Sequence, residues 1–112
     1  MDFVSDMIGD RMVVTVQSAR IDAAAALQFK DGMRIATEGA SARVLLDLSQ
    51  VDFIDSSGLG AIVGVMKYLA PERQLDLAGL RPNVERVFRL TRMDTVFVIH
   101  ATREEALRDH AH

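Results

Sequence analysis

Two rhythms of apolar residues run through this chain. Residues 2–8 are loosely strand-like, and Gly9-Asp10 has the glycine-first form of a two-residue hairpin turn leading into Arg11-Met12-Val13-Val14-Thr15-Val16. An opening hairpin is predicted. Ala26, Phe29, Met33 and Ala36 then recur at three- and four-residue steps, which predicts a helix over about residues 23–38, with Asp22 placed to cap it. Arg43-Val44-Leu45-Leu46-Asp47-Leu48 is aliphatic without helical spacing and follows Gly39, so it reads as an interior strand. Asp55-Ser56-Ser57-Gly58 opens a second helix that ends near Pro71. Gln74 to Leu80 is another short strand, and Pro82 starts a helix through Val84, Val87, Phe88 and Leu90. Thr95-Val96-Phe97-Val98-Ile99 is expected to close the sheet. Thr102, followed three residues later by Glu105, begins a last helix to about Asp109 with a capping-box pattern. The order ββαβαβαβα defines an α/β chain.

The 112 residues suit one domain, and 49% hydrophobic against 26% charged is the balance of a chain that buries a core. With no Cys there is no disulfide framework, thiolate metal site or cysteine nucleophile, which fits a reducing cytoplasm. A formal net charge of -3 supplies no global field for a phosphate backbone, so nucleic acid is not expected as the main partner. The longest run without a charge, Ser56 to Met66, is far short of the roughly 20 residues of a membrane span, and the acidic start Met1-Asp2-Phe3-Val4-Ser5-Asp6 does not resemble a secretory signal. The chain is expected to be cytoplasmic, without direct membrane insertion. Arg81, Arg86, Arg89 and Arg92 form a basic cluster in which those three apart share a helical face, and they read as solvated residues paired with Glu85 or Asp94.

Chemistry concentrates from Val44 to Gly64. A strand, an acid, two serines, a glycine and an apolar helix follow one another, placing a hydroxyl and a carboxylate where free amides and the helix dipole favour negative charge. Ser56 is thereby either a helix cap or a modification site. A hydrolase nucleophile needs glycine two places before and after the serine; Ser56 has Ile54 and Gly58, and Ser57 has Asp55 and Leu59. The histidines, His100, His110 and His112, all lie at the far end of the chain, so no base is at hand for catalysis. No Gly-Lys-Ser or Gly-Lys-Thr of a phosphate-cradling loop occurs. Neither metal nor cofactor is expected.

The second helix divides by side-chain size. Leu59, Ile62, Val63 and Met66 form a stripe suited to a sheet, while Gly60, Ala61, Gly64, Val65 and Tyr68 form a small, weakly polar one rimmed by Ser56 and Lys67. Each helical glycine costs roughly 1 kcal/mol relative to alanine, so something approaches the backbone closely. Either a neighbouring helix or another protein does so.

The run Phe53-Ile54-Asp55-Ser56-Ser57-Gly58-Leu59-Gly60 resembles the signature of STAS-domain anti-sigma-factor antagonists, and element order extends the likeness over the whole chain. The resemblance implies a single domain, 1–112, with a mixed, mostly parallel sheet and helices packed mainly on one face. It makes Ser56 the phosphoacceptor and Asp55 the acid that helps form the kinase-read site. Ser57, Gly58 and Gly60 begin the docking helix. Asp22 matches a partner-contact acid, although Ala19-Arg20-Ile21-Asp22 stands where the family usually carries Gly-any-Leu-Asp. The implied partners are an anti-sigma factor that is also a serine kinase of the histidine-kinase-like ATPase fold, and a metal-dependent serine phosphatase. A non-phosphorylated adaptor of a lipid or anion transport system, and a partner-switch regulator with a non-sigma output, are alternative roles for the same fold.

Overall fold

The expected hairpin forms from β1 (Asp2–Ile8) and β2 (Arg11–Gln17), antiparallel, with Gly9 at φ 65° in the turn. This glycine-first geometry matches the right-handed twist of the flanking strands. In the computed structural model, residues 1–39 and 43–109 are described. His110 and His112 lie outside them. β3 (Arg20–Ile21) leads to α1 (Ala26–Ala36), then β4 (Arg43–Asp47), β5 (Phe53–Ile54), α2 (Ser56–Leu69), β6 (Gln74–Ala78), α3 (Pro82–Leu90), β7 (Ile99–His100) and α4 (Arg103–Asp109).

The main sheet has the order β1-β2-β4-β6-β7, parallel from β2 onward, and β3 pairs in parallel with β5 as a separate two-stranded piece. Each crossover moves one strand along the sheet in the same direction. Right-handed connections therefore deliver α1, α2 and α3 to one face. There Val14, Phe29, Met33, Leu46, Ile62, Leu77 and Phe88 are fully buried. The opposite face carries Val13, Leu45 and Ala78 against Ala106 of α4. Strand alternation thus feeds two layers, and β2 is buried along six of its seven residues. Among the described residues no helix is long and apolar enough to cross a membrane.

The layer beneath α4 is also polar. Arg11, Thr15, Asp47 and Asp76 are buried there. Arg11 Nη1 donates to the Ala106 carbonyl at 2.8 Å, and Arg103 Nε donates to Asp47 Oδ2 at 2.8 Å while its Nη2 reaches Thr15. Glu105 N donates to Thr102 Oγ1 at 3.1 Å, so the capping residue read from the sequence starts α4. His100 Nε2 lies 3.3 Å from Asp76 Oδ2.

Three boundaries depart from the sequence expectation. The helix expected from residue 23 starts at Ala26, because Asp22 spends both its main-chain carbonyl and Oδ1 on Ala25 N, at 3.0 and 3.1 Å, closing a separate turn first. The closing strand is Ile99–His100 rather than Thr95–Ile99. Arg92 adopts φ 63°, Met93–Thr95 form a 3-10 turn, and Phe97 is drawn edge-on to Phe88 at 5.9 Å. The apolar run is consumed in turning the chain and covering the core. β3 and β5, two residues each, were not expected at all. On the surface of α3, Arg89 and Glu85 make the anticipated pair at 3.0 Å.

The Arg103–Asp47 pair should anchor α4. Replacing Arg103 with Met leaves a carboxylate at 7% side-chain exposure that keeps the Ser49 N donor at 2.9 Å but loses its guanidinium partner, and should cost about 3 kcal/mol in urea unfolding. A loss below about 1 kcal/mol would show that the apolar contacts of Ala106 hold the helix by themselves.

Candidate functional site at the start of α2

The chain enters α2 through Asp55, which has extended backbone (φ -111°, ψ -174°). Its Oδ1 accepts from Gly58 N at 2.8 Å and its Oδ2 accepts from Ala23 N at 3.0 Å. One carboxylate therefore caps α2 and ties it to the turn before α1. The Gly58 amide is the main cause holding the Asp55 carboxyl below the ordinary carboxylate range; partial burial opposes it, and the Ala23 amide adds to it. The cap is Asp55, not Ser56. Ser56 is the first helical residue, and both Ser56 and Ser57 are exposed.

The turn before α1 is held against this entry from several sides. Asp52 N and Phe53 N both donate to the Ala19 carbonyl, at 2.8 and 3.1 Å. Ile21 and Ile54, paired in register, are buried. Gly58 is buried as well, and a Cβ there would lie 1.9 Å from the Ile21 carbonyl oxygen. Asp22, Asp55, Ser56, Ser57 and Gly58 thus come together as one cluster. Arg20 and Phe53 belong to it too, although nothing in the sequence singled them out. Arg20 lies 4.1 Å over the Phe53 ring, and its Nε donates to Asp22 Oδ2 at 3.2 Å. Their proximity follows from the β3–β5 register, and a two-residue strand has no periodicity to read.

From this cluster the small-residue stripe runs along α2, with Tyr68 about 18 Å from Ser56 at 1.5 Å per residue. The stripe divides between the two alternatives that the sequence left open. Ala61 and Val65 are buried in the main core, because they stand where α2 meets α1. Gly60, Gly64 and Tyr68 remain accessible, with Tyr68 52% exposed. A Cβ on Gly60 would meet nothing within 4 Å, and one on Gly64 only Lys30 Cε at 3.8 Å. Among the described residues no neighbouring helix packs on Gly60, and at Gly64 only the flexible end of Lys30 on α1 comes near. Beside Gly64, Val65 floors a shallow groove between α1 and α2, bordered by Lys30, Arg34 and Tyr68.

A sequence profile described as the STAS domain matches residues 4–106. The chain belongs to the STAS domain family. BtrV of Bordetella bronchiseptica, which carries the name of an anti-sigma factor antagonist, is 30% identical over 98 residues, covering 87% of this chain and 84% of that protein. The structure of the anti-sigma factor antagonist SpoIIAA in its unphosphorylated form superposes with a TM-score of 0.75 at 25% identity, covering 98% of this chain and 96% of that one. The phosphorylated form of the Bacillus protein gives 0.68 at 25% identity, covering 99% and 100%. The mixed, mostly parallel sheet of this STAS domain, with its helices mainly on one face, is the architecture that the signature motif implied.

The glycines separate by what surrounds them. Gly58→Ala should destabilise the free protein by about 3 kcal/mol in urea unfolding, since backbone must move to admit the methyl group. Gly60→Ala should instead stabilise it by about 0.5–1 kcal/mol through helix propensity. Equal effects would refute this division.

Acid stability should carry the signature of Asp55. Its lowered carboxyl means that it stabilises the fold fully above the ordinary carboxylate range, and that this contribution fades as the pH falls below about 4. Asp55→Asn should therefore lower the urea midpoint at pH 7 and flatten its fall between about pH 5 and pH 2. An unchanged slope would mean that other carboxylates govern acid unfolding.

Proposed function

We propose that this STAS protein is an anti-sigma factor antagonist working as a phosphorylation-controlled binding module. Unphosphorylated, it captures an anti-sigma factor that is also a serine kinase of the histidine-kinase-like ATPase fold, and thereby frees that factor's target. Transfer of the ATP γ-phosphoryl group to Ser56 Oγ, with release of ADP and of the hydroxyl proton, ends the capture. A metal-dependent serine phosphatase restores it. The protein is the substrate and the switch, not the enzyme.

The observation that carries this reading is Gly60. It is exposed, helical and unopposed, so its missing side chain serves nothing inside the chain. A partner lying flat on α2 gives it a use, and the contact then runs from Ser56 and Ser57 past Gly60 and Gly64 to Tyr68, with Asp22 at its margin. Ala61 and Val65, which the sequence places on the same stripe as partner-contact candidates, are buried and support that face from beneath. Asp55 has no proton-accepting part to play. It is held ionised with both oxygens occupied, so it shapes the backbone that a kinase reads. The relatives' names and the two forms of SpoIIAA are consistent with such a role.

A phosphate at Ser56 adds about -1.5 to -2 charges next to Asp55. Enclosing that charge in a contact of glycines and a tyrosine, without a cation from the partner, costs several kcal/mol, and each 1.4 kcal/mol is about tenfold in affinity. The domain need not refold.

The test is calorimetric titration of the purified chain against its kinase-type anti-sigma factor. Ser56→Ala should bind as the unmodified protein does. Ser56→Asp should bind at least about tenfold more weakly, and Gly60→Tyr should bind poorly while remaining folded. Equal affinities for all three would reject the switch and the docking face together.

A further inference from the structure

Among the described residues, Arg20 is the one cation built into the acidic cluster at the start of α2, and its surroundings are unusual for a surface arginine. Its side chain is 59% exposed, yet it is fixed on two sides, by the Phe53 ring beneath the guanidinium at 4.1 Å and by Asp22 Oδ2 at 3.2 Å from Nε. Only Nε is used in that ion pair. Among the described residues, neither terminal nitrogen of Arg20 has a hydrogen-bond partner in the structure. A planar fork is therefore pre-oriented with its outer edge facing solvent.

The backbone on both sides of Ser56 is held against the segment that carries Arg20. The parallel pairing puts Arg20 beside Phe53 and Ile21 beside Ile54, and residues on both sides of Ser56 touch the same segment, Asp55 through Ala23 N and Gly58 against the Ile21 carbonyl. Ser56 is three residues past Phe53, about 10 Å at full extension and less once the chain turns into α2. An arginine and a phosphoserine can divide that span between them. The other charges around the cluster are unfavourable to a phosphate or already engaged. Asp22 and Asp55 are anionic, and Arg81 is shared between Asp52 Oδ1 at 3.8 Å and the Ser49 carbonyl at 3.5 Å.

We propose that Arg20 is the intramolecular receptor for a phosphate on Ser56, exchanging Asp22 for the phosphate when the serine is modified. The proposal rests on Ser56 being the phosphoacceptor. A dianion outcompetes a single carboxylate for the same guanidinium, and a bidentate contact uses the terminal nitrogens that Asp22 leaves open. Asp22 stays in place through Oδ1, which accepts from Ala25 N at 3.1 Å, but it loses its cation. One modification therefore changes two parts of the docking face, since the phosphate appears at Ser56 and Asp22 becomes an uncompensated charge.

The experiment needs no kinase. Phosphoserine is introduced at position 56 of the full chain by genetic encoding, and the second ionisation of the phosphate is followed by phosphorus NMR. Because phosphorylation is not left to an enzyme, the outcome is independent of whether the partner titration succeeds. In the otherwise unaltered chain the phosphate should ionise at least about half a pH unit below its value in Arg20→Gln, with Arg20→Lys between them. A smaller difference overturns the proposal. The Arg20 Nε–H resonance, observed without any substitution at Arg20, should move on phosphorylation and titrate with the phosphate. A resonance that stays where it is in the unmodified protein overturns the proposal even if the arginine variants fail to fold.

Discussion

The bridge made by the Asp55 carboxylate is the constraint on which the start of α2 depends. One oxygen closes the helix at Gly58 N and the other holds the turn before α1 at Ala23 N. Two elements distant in sequence are thereby set in one register, and the small β3–β5 pair and the close approach of Gly58 to the Ile21 carbonyl follow from it. The bridge also releases the next residue. Because Asp55 does the capping, the Ser56 hydroxyl is not part of the helix's own hydrogen bonding. A phosphate on a capping serine would rebuild the contact that closes the helix around new acceptor oxygens; on the first helical residue it leaves the Asp55 cap intact and sits at the favourable end of the dipole. The proposed modification is thus compatible with an unchanged fold.

The rest of the structure keeps that corner rigid by separating its two faces. Three helices on one side bury an apolar core in which α2 contributes Leu59, Ala61, Ile62, Val65 and Leu69. The other side is closed by α4 over paired charges. The proposed regulation at Ser56 would therefore act on a helix whose inner face is fully committed to packing. What remains variable is the outer surface, where charge and shape decide which partner fits.

How much of this was legible beforehand depends on the range of the interaction involved. The hairpin, the two long parallel strands and the helices carry their signals within a few residues, as with Gly9 at the turn, Pro82 at the first position of α3 and Thr102 before α4. The Asp-Ser-Ser-Gly motif marks the candidate site for the same reason. Misplaced features had two origins: Asp22 favours one local turn over another, closing on Ala25 N instead of capping the helix, whereas Thr95–Val98 is taken up by tertiary packing against Phe88. Arg20 could not be found by pattern, since its meaning depends on Phe53, which reaches it only through a two-residue pairing. Ala61 and Val65 illustrate the converse. Small residues on one helical stripe looked alike in sequence, and the packing of α1 sorted them into floor and surface.

The two glycines that open α2 show why residue type alone cannot assign a role. Gly58 and Gly60 carry the same intrinsic penalty in a helix, about 1 kcal/mol relative to alanine. At Gly58 that penalty is offset inside the protein, because no side chain fits under the Ile21 carbonyl and the close contact completes the corner that Asp55 ties. At Gly60 nothing within the chain offsets it. A cost retained on an exposed, otherwise regular helix, one turn beyond a free hydroxyl, is intelligible when the compensating contact is supplied from outside. The partner's approach to the backbone at Gly60 would also place it next to Ser56, so the surface that needs a missing side chain is the one on which an added phosphate has the largest effect.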